Sequence, residues 1–204
     1  MANKKTGLIG GTFNPVHYGH LFLAEQAMEY CDLDQVLFIP SGISYMKNVR
    51  EIAGAEDRLQ MVRLATEDHP DFHVSSMEMD RPGASYTCET LLALSEEYAD
   101  TGFYFIVGAD NLFSIEKWKD PAGIFRRCTL VAAFRGAEDR SALEEKAREL
   151  RSRYEADIIL LPKRRIDISS TEIRQRIAEK KSIRYMVPEP VRNYITEHGL
   201  YQKA

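Results

Sequence analysis

The sequence predicts an α/β protein built on a doubly wound parallel sheet with C-terminal helices. Short, almost continuously apolar segments alternate with longer amphipathic segments along the chain. This alternation is typical of a parallel sheet that helices cover on both faces. The chain has 204 residues, of which 44% are hydrophobic, as in an ordinary globular protein. We therefore expect one domain over residues 1–204, with a helical extension from about residue 170.

Six apolar segments are predicted to be the strands. They cover residues 7–9, 36–39, 72–74, 103–107, 130–134 and 158–161. A doubly wound sheet binds its ligands beyond the carboxyl ends of the strands. The loops that follow these strands are therefore the expected location of a site.

Seven amphipathic segments are predicted to be helices. They cover residues 21–28, 56–67, 86–98, 111–127, 141–154, 171–180 and 188–198. Gly199 follows the last of them, and glycine is the residue that most often ends a helix.

A motif rich in glycine and histidine follows the first strand, at residues 10–20, which read GGTFNPVHYGH. Paired glycines allow a ligand to approach the backbone, and main-chain N–H groups bind anions. His17 and His20 lie at a predicted helix start, where both imidazoles can face one side and the helix dipole favours negative charge. The motif predicts a triphosphate-binding site. Zinc ligands or ordinary surface and capping histidines are the alternatives, although zinc needs a third ligand.

A second motif, ISSTEIR at residues 168–174, precedes another predicted helix. Ser169 and Glu172 have the spacing of a capping box, which by itself explains a helix start. Arg174 follows within two turns, where its guanidinium group can hold a phosphate. Residues 160–184 contain eight Lys or Arg and three Asp or Glu, a local excess of positive charge that suits a triphosphate.

Composition limits the possible partners. The formal net charge of −4 argues against binding to a nucleic acid, and no apolar run reaches the ~18 residues of a membrane-spanning helix. The three cysteines are an odd number without metal-binding spacing, which predicts reduced thiols in a cytoplasmic protein. The sequence leaves the number of subunits open.

Together, the two motifs resemble the G-G-T/S-F-x-P-x-H-x-G-H and I-S-S-T-x-I-R signatures of the nucleotidylyltransferase superfamily. Members of this superfamily transfer AMP or CMP from a triphosphate to a phosphate acceptor. The resemblance implies a Rossmann-like nucleotidylyltransferase fold. It also implies an ATP site formed by Gly10, Gly11, Thr12, Phe13, His17, His20, Ser169, Ser170, Thr171 and Arg174.

Segments in the middle of the chain resemble one family in that superfamily, the bacterial nicotinate mononucleotide adenylyltransferases. Residues 40–47 keep the proline-to-lysine spacing of its P-x-x-x-P-P-x-K loop, with Ser-Tyr in place of Pro-Pro. Residues 78–91 are similar to E-x-x-R-x-G-x-S-Y-T-x-D-T-L, with Glu89 in place of aspartate. Residues 108–118 resemble G-x-D…W, and Lys119 stands where the family often has tyrosine.

The family resemblance implies that nicotinate mononucleotide binds to Lys47, Tyr86, Thr87, Asp110 and Trp118. The indole of Trp118 can stack on a pyridinium ring, although packing against the protein is the alternative. Thr87, at a helix start, can hold the nicotinate carboxylate, or it is simply a helical residue. Asp110 can bind ribose hydroxyls or a magnesium-bound water, with a solvated turn as the alternative. We expect Lys119 to point into solvent.

The resemblance implies that AMP is transferred from ATP to nicotinate mononucleotide, giving nicotinate adenine dinucleotide and pyrophosphate. His17, His20, Lys47 and Arg174 are the implied catalytic residues. The implied cofactor is Mg²⁺ that bridges the ATP phosphates, with no metal held by protein side chains alone. Phosphopantetheine adenylyltransferases and cytidylyltransferases share the two end motifs and remain alternatives. A nucleotide-binding sensor on the same fold is an alternative of another class.

Overall fold

The structure is a computed structural model, and it describes residues 4–42, 52–133, 140–164 and 166–202. Its strands are β1 (Lys4–Gly11), β2 (Gln35–Pro40), β3 (Phe72–Val74), β4 (Thr101–Gly108), β5 (Thr129–Ala133) and β6 (Ile158–Leu160). They form one six-stranded sheet in the order β3-β2-β1-β4-β5-β6. Strand β4 pairs in parallel with β1 and β5, and β5 pairs in parallel with β6. The doubly wound order, which reverses direction between β1 and β4, confirms the predicted fold class.

Helices connect the strands and end the chain. They are α1 (Tyr18–Cys31), α2 (Ala55–Thr66), α3 (Met77–Asp80), α4 (Thr87–Glu97), α5 (Ala109–Ser114), α6 (Pro121–Phe125), α7 (Arg140–Tyr154), α8 (Ser170–Ala178) and α9 (Glu189–Glu197). Helices α8 and α9 are the predicted C-terminal helices, and Gly199 follows them with a φ of 60°. No described helix is long and apolar enough to cross a membrane.

The segment predicted as one helix at residues 111–127 is divided into three elements. These are the end of α5, a 3₁₀ turn at Ile115–Lys117, and α6. Asp120 interrupts the helix with a left-handed φ of 46°, and its carboxylate accepts a hydrogen bond from the N–H of Gly123 at 2.9 Å. Pro121 then starts α6, because its fixed φ suits the first helical position. Phe134, the last residue of the predicted fifth strand, lies outside the described residues.

The chain divides into two compact units. The first comprises Met1–Gly10, Leu23–Leu37 and Tyr86–Asp167, and the second comprises Gly11–Phe22, Phe38–Ser85 and Ile168–Ala204. The first unit buries side chains of its strands and of α7, among them Leu8, Ile9, Phe103, Ile106, Leu130, Val131, Leu143 and Leu150. The second unit buries Phe13, Val16, Phe38, Leu59, Met61, Val62, Ile173, Val191 and Ile195. Apolar strands and helix faces supply both cores.

Candidate active site

The first motif forms the end of β1 and the loop before α1. Phe13 adopts a positive φ of 47° and is only 2% exposed, so its ring packs inside the second unit. A Cβ on Gly11 would lie 3.3 Å from Cζ of this ring. Gly11 therefore provides the space in which the buried ring of Phe13 packs.

The two histidines of the motif stand side by side at the start of α1. His17 precedes the helix and His20 lies in its first turn, with ring centroids 3.8 Å apart. The backbone N–H of His17 donates a hydrogen bond to Nδ1 of His20 at 3.3 Å. Because Nδ1 accepts this bond, a neutral His20 carries its proton on Nε2. His20 can therefore donate from Nε2 to a phosphate oxygen.

Close packing fixes the orientation of both imidazoles. The ring of Phe13 meets the ring of His20 edge-on, with centroids 5.0 Å apart. A Cβ on Gly19 would lie 3.0 Å from both Cε1 and Nδ1 of His17, which is too close for an ordinary contact. Glycine at position 19 therefore allows the ring of His17 to lie against the backbone.

Helix α8 brings the second motif to the first, although the two are far apart in the sequence. Nη1 of Arg174 donates a hydrogen bond to the carbonyl oxygen of Asn14 at 2.9 Å. The hydroxyl of Ser170 donates to the carbonyl oxygen of Pro15, also at 2.9 Å. These two bonds hold the start of α8 against the loop that follows β1.

The N-terminus of α8 is capped as the sequence predicts. The side chain of Ser169 accepts a hydrogen bond from the N–H of Glu172 at 3.1 Å. Thr171 is exposed, and its Oγ1 lies 3.5 Å from Nη2 of Arg174. The first N–H groups of a helix have no acceptor within the helix, so this end of α8 suits an anion.

Arg58, a buried arginine of α2, was not predicted as a site residue. It is 2% exposed, and burial lowers the pKa of its guanidinium group. It donates hydrogen bonds of 2.8–3.2 Å to four carbonyl oxygens, those of Thr12, Ser41, Gly42 and Ala53. One side chain thus joins the loop after β1, the loop after β2 and the start of α2. Its position among buried residues of an amphipathic helix is the signal that could have revealed it.

The side chain of Asn14 joins the same loop to the C-terminal end of the chain. Its Oδ1 accepts hydrogen bonds from the N–H of Ala53 at 3.0 Å and from the hydroxyl of Tyr201 at 2.8 Å. Burial raises the pKa of the Tyr201 hydroxyl, so this group stays protonated and remains a donor. Tyr201 therefore fixes the loop from a position that no motif identified.

Replacement of Arg58 by methionine is expected to lower the free energy of unfolding by about 2–5 kcal/mol, because it leaves buried carbonyl oxygens without a donor. Urea denaturation measures the change. Arg63→Met, at an exposed position of the same helix, is the matched control and should change stability by about 0.5 kcal/mol or less. An Arg58→Met protein as stable as the wild type would contradict this role.

Two predicted acceptor-binding residues lie at the start of α4, in the first unit. Tyr86 is the N-cap of this helix and Thr87 is its first residue. The carbonyl oxygen of Tyr86 accepts hydrogen bonds from the N–H groups of Glu89 and Thr90 at 3.0 and 3.1 Å. Thr87 is half-buried, so its hydroxyl and the first N–H groups of α4 form a small donor site that suits a carboxylate.

Trp118 and Asp110, the other described acceptor candidates, belong to the same unit. Trp118 follows the 3₁₀ turn, is half-buried, and meets Phe105 edge-on with centroids 6.3 Å apart. Its partial exposure leaves part of the indole open to a ligand, as the stacking role requires. Asp110 is exposed in the first turn of α5, directly after β4.

Lys119 is exposed, as expected, but its ammonium group has partners that were not predicted. Its Nζ lies 2.6 Å from Oε1 of Glu89 and 4.2 Å from the centroid of the Tyr86 ring. About half of the Lys119 side chain is exposed, but the ammonium group is held by a carboxylate and by an aromatic face. Sequence reasoning missed this because the two residues are 30 positions apart.

Glu116, two residues before Trp118, is anchored to α7 by hydrogen bonds. The carboxylate of Glu116 accepts hydrogen bonds from Lys146 and Arg153, both at 2.6 Å, and from the hydroxyl of Tyr154 at 3.2 Å. These bonds lower the pKa of Glu116 to about 2, so the carboxylate stays ionised at neutral pH. The 3₁₀ turn that leads to Trp118 is therefore fixed to a long helix.

The two groups of predicted residues occupy different units. Except for Gly10, the predicted ATP-binding residues belong to the second unit, and hydrogen bonds join its two motifs. Tyr86, Thr87, Asp110 and Trp118 belong to the first unit. Lys47, predicted to contact both substrates, lies outside the described residues.

Comparison with known sequences gives a consistent family. The family described as cytidylyltransferase-like matches residues 8–176. A protein of Lachnoclostridium phytofermentans named "Probable nicotinate-nucleotide adenylyltransferase" is 44% identical over 198 residues, which cover 97% of this chain and 99% of the relative. A protein of Roseiflexus with the same name is 43% identical over 204 residues, covering 99% of this chain and 100% of the relative.

Solved structures with the same fold include nicotinic acid mononucleotide adenylyltransferase of Plasmodium falciparum. Its complex with NaAD has a TM-score of 0.79 and its complex with APC has a TM-score of 0.77. Each comparison covers 97% of both chains at 17% sequence identity. At this identity the likeness shows a shared fold.

Proposed function

Because this chain belongs to the family of nicotinate-nucleotide adenylyltransferases, we propose that it transfers AMP from ATP to nicotinate mononucleotide. The products are nicotinate adenine dinucleotide and pyrophosphate, and the reaction serves NAD biosynthesis. Similarity to relatives of that name over almost the whole chain supports the activity. In the structure, the observation that supports it best is the bond from Arg174 to Asn14, which joins the two phosphate-binding motifs.

The proposed reaction is a single in-line displacement. An oxygen of the acceptor 5′-phosphate attacks the α-phosphorus of ATP. The bond between that phosphorus and the oxygen that bridges the α- and β-phosphates breaks, and pyrophosphate leaves with that oxygen. The acceptor phosphate is largely ionised at pH 7, because its second pKa is about 6, so the step requires no general base. Catalysis then consists of positioning two anions and balancing the charge that develops on the phosphates.

The residues around the loop after β1 have the chemistry that this task requires. His20 would donate from Nε2, and Arg174 would add a guanidinium fork beside the N–H groups at the start of α8. His17 would supply a second imidazole next to His20. Lys47 is assigned to the same task by the family motif.

Imidazoles, a guanidinium group, hydroxyls and N–H groups dominate this site, so its donor set fits phosphate oxygens. A metal ion in such a site is held mainly by the phosphates themselves, as is usual for Mg²⁺ with nucleotides. Mg²⁺ bound with ATP would neutralise part of the phosphate charge. His17, His20 and Arg174 would donate hydrogen bonds to phosphate oxygens.

The acceptor site is proposed at the start of α4 and at Trp118. Thr87 and the first N–H groups of α4 would bind the nicotinate carboxylate, with Tyr86 beside them. Trp118 would stack on the pyridinium ring, and Asp110 would bind the ribose. The protein works in the cytoplasm in this proposal, where its three buried cysteines, Cys31, Cys88 and Cys128, would remain reduced thiols.

Replacement of Trp118 by alanine is expected to raise KM for nicotinate mononucleotide by about 5–30-fold, because it removes a cation–π contact worth about 1–2 kcal/mol. KM for ATP should stay within about twofold, since the indole contacts only the pyridine ring in this proposal. Tyr30→Ala, at an exposed aromatic position of the same unit, is the control and should change neither constant. An unchanged KM for the acceptor would remove Trp118 from the site.

The activity is tested by measuring pyrophosphate release with purified protein, MgATP and a panel of acceptors. The panel contains nicotinate mononucleotide, nicotinamide mononucleotide and phosphopantetheine, and CTP replaces ATP in a parallel series. We expect the highest kcat/KM with ATP and nicotinate mononucleotide. Pyrophosphate release only with phosphopantetheine as acceptor, or only with CTP as the triphosphate, would assign the chain to another class of transferase. Binding of ATP without pyrophosphate release with any acceptor would favour a sensor.

A further inference from the structure

Glu89 and Lys119, two positions at which the acceptor segments depart from the family pattern, contact each other. Glu89 replaces aspartate and Lys119 replaces the usual tyrosine, and Nζ of Lys119 lies 2.6 Å from Oε1 of Glu89. The same ammonium group lies 4.2 Å from the centroid of the Tyr86 ring. Lys119 directly follows Trp118 in the sequence, and Glu89 lies two residues after Thr87. Each member of the pair is therefore close in sequence to one of the two proposed acceptor contacts.

Glu89 creates an electrostatic problem for a negatively charged acceptor. It lies in the first turn of α4, two residues after Thr87, where the first N–H groups of the helix favour negative charge. A nicotinate carboxylate bound there would bring a second negative charge to the first turn of α4, and like charges repel. Asp120, the residue after Lys119, is a further anion, and its carboxylate caps α6 through the N–H of Gly123.

Lys119 balances that charge. The ammonium group neutralises Glu89 as a close pair, and its place over the Tyr86 ring keeps the positive charge near the start of α4. Both side chains are partly exposed, with side-chain exposures of 51% for Lys119 and 39% for Glu89. The charges are therefore accessible to a substrate, and salt should screen their effect on it.

We propose that Lys119 and Glu89 are paired specificity residues of the acceptor site, which together determine how strongly an acid pyridine nucleotide is preferred over its amide. This inference rests on the proposed function. Lys119 favours the acceptor that carries a carboxylate, and Glu89 disfavours it. The balance between them sets the preference, while the chemical step at the α-phosphorus is left to the second unit.

The test compares kcat/KM for nicotinate mononucleotide and nicotinamide mononucleotide in four proteins: wild type, Lys119→Met, Glu89→Gln and the double variant. Lys119→Met should lower the acid-to-amide ratio by about fivefold, because it removes a positive charge next to the carboxylate of Glu89. Glu89→Gln should raise the ratio by about fivefold, because the ammonium charge is then unopposed. The double variant should return to within about twofold of wild type, since both charges are gone.

The opposite signs of the two single changes separate this role from a structural one, which would lower kcat/KM for both nucleotides in parallel. Lys117→Met, at an exposed lysine of the same segment, is the control and should leave the ratio unchanged. Raising the salt concentration should reduce both shifts. If wild type uses nicotinate mononucleotide but both single variants keep its ratio or shift it in one direction, the inference is wrong. If wild type uses neither nucleotide, the proposed function itself fails.

Discussion

Replacement of His20 by alanine is expected to lower kcat by about 10²–10⁴-fold, because it removes a donor to the charge that develops on the phosphates. The imidazole receives the backbone N–H of His17 on Nδ1, which leaves Nε2 as its donating atom. Steady-state kinetics measures the loss, and circular dichroism shows whether the variant is folded. A folded alanine variant within threefold of wild type would exclude the role.

Two further variants test which nitrogen of His20 acts. The amide nitrogen of glutamine can lie near the place of Nε2, so His20→Gln should retain part of the activity. The shorter His20→Asn can replace only Nδ1 as an acceptor and should be as impaired as His20→Ala. Greater activity in His20→Asn than in His20→Gln would show that the hydrogen bond from His17, and not the donor at Nε2, is what matters.

Replacement of Arg174 by lysine is expected to lower kcat/KM for ATP by about 10–100-fold although the charge is kept. The guanidinium group bonds to the carbonyl oxygen of Asn14 through Nη1, and its planar fork leaves other N–H groups for a phosphate. A lysine ammonium group is a single point charge and cannot span both partners. Titration calorimetry with ATP and steady-state kinetics measure the effect.

Arg176→Lys is the matched control, on the same helix α8. Arg176 bonds to the carbonyl oxygen of Ser182 and lies 3.9 Å from a carboxylate oxygen of Glu172. We therefore expect the Arg176→Lys variant to bind ATP as tightly as wild type. If Arg174→Lys binds ATP and turns over like wild type, Arg174 serves only to hold the loop through Asn14.

The sequence was sufficient for the sheet and for the two motifs, because both depend on local patterns. Runs of four or more consecutive apolar residues are typical of buried strands, and the run at residues 103–107 lies within the observed Thr101–Gly108. The cap at Ser169 and the histidines at the start of α1 follow from side-chain spacing within a single turn of helix. Features that depend on spacing within one turn or one strand can therefore be predicted from the sequence.

The remaining features depend on contacts between distant segments. Arg58 bonds to four carbonyl oxygens, and its own sequence neighbourhood shows only an arginine in an amphipathic helix. Tyr201 reaches Asn14 from 187 residues away, and Lys119 reaches Glu89 from 30 residues away. A backbone carbonyl leaves no signature in the sequence, so partners of this kind cannot be predicted from residue spacing.

The helix predicted at residues 111–127 is interrupted by a local signal, the sequence Asp120-Pro121. Asp120 and Pro121 form a helix start, and Asp120 adopts a left-handed backbone that a continuous helix does not allow. The apolar periodicity continued through this point and concealed the break. The interruption matters because it places Trp118 and Lys119 on a short non-helical segment between two helical elements.

Adenylyl transfer to nicotinate mononucleotide is tested most directly by following a radioactive label from ATP into the product. Protein, Mg²⁺ and nicotinate mononucleotide are incubated with ATP labelled at the α-phosphorus or, in a separate reaction, at the γ-phosphorus. We expect the α-label to enter a dinucleotide in an amount equal to the pyrophosphate released, and the γ-label to leave with pyrophosphate. Label from the γ-phosphorus on the acceptor, or α-label released as free AMP without a dinucleotide, would contradict adenylyl transfer to this acceptor.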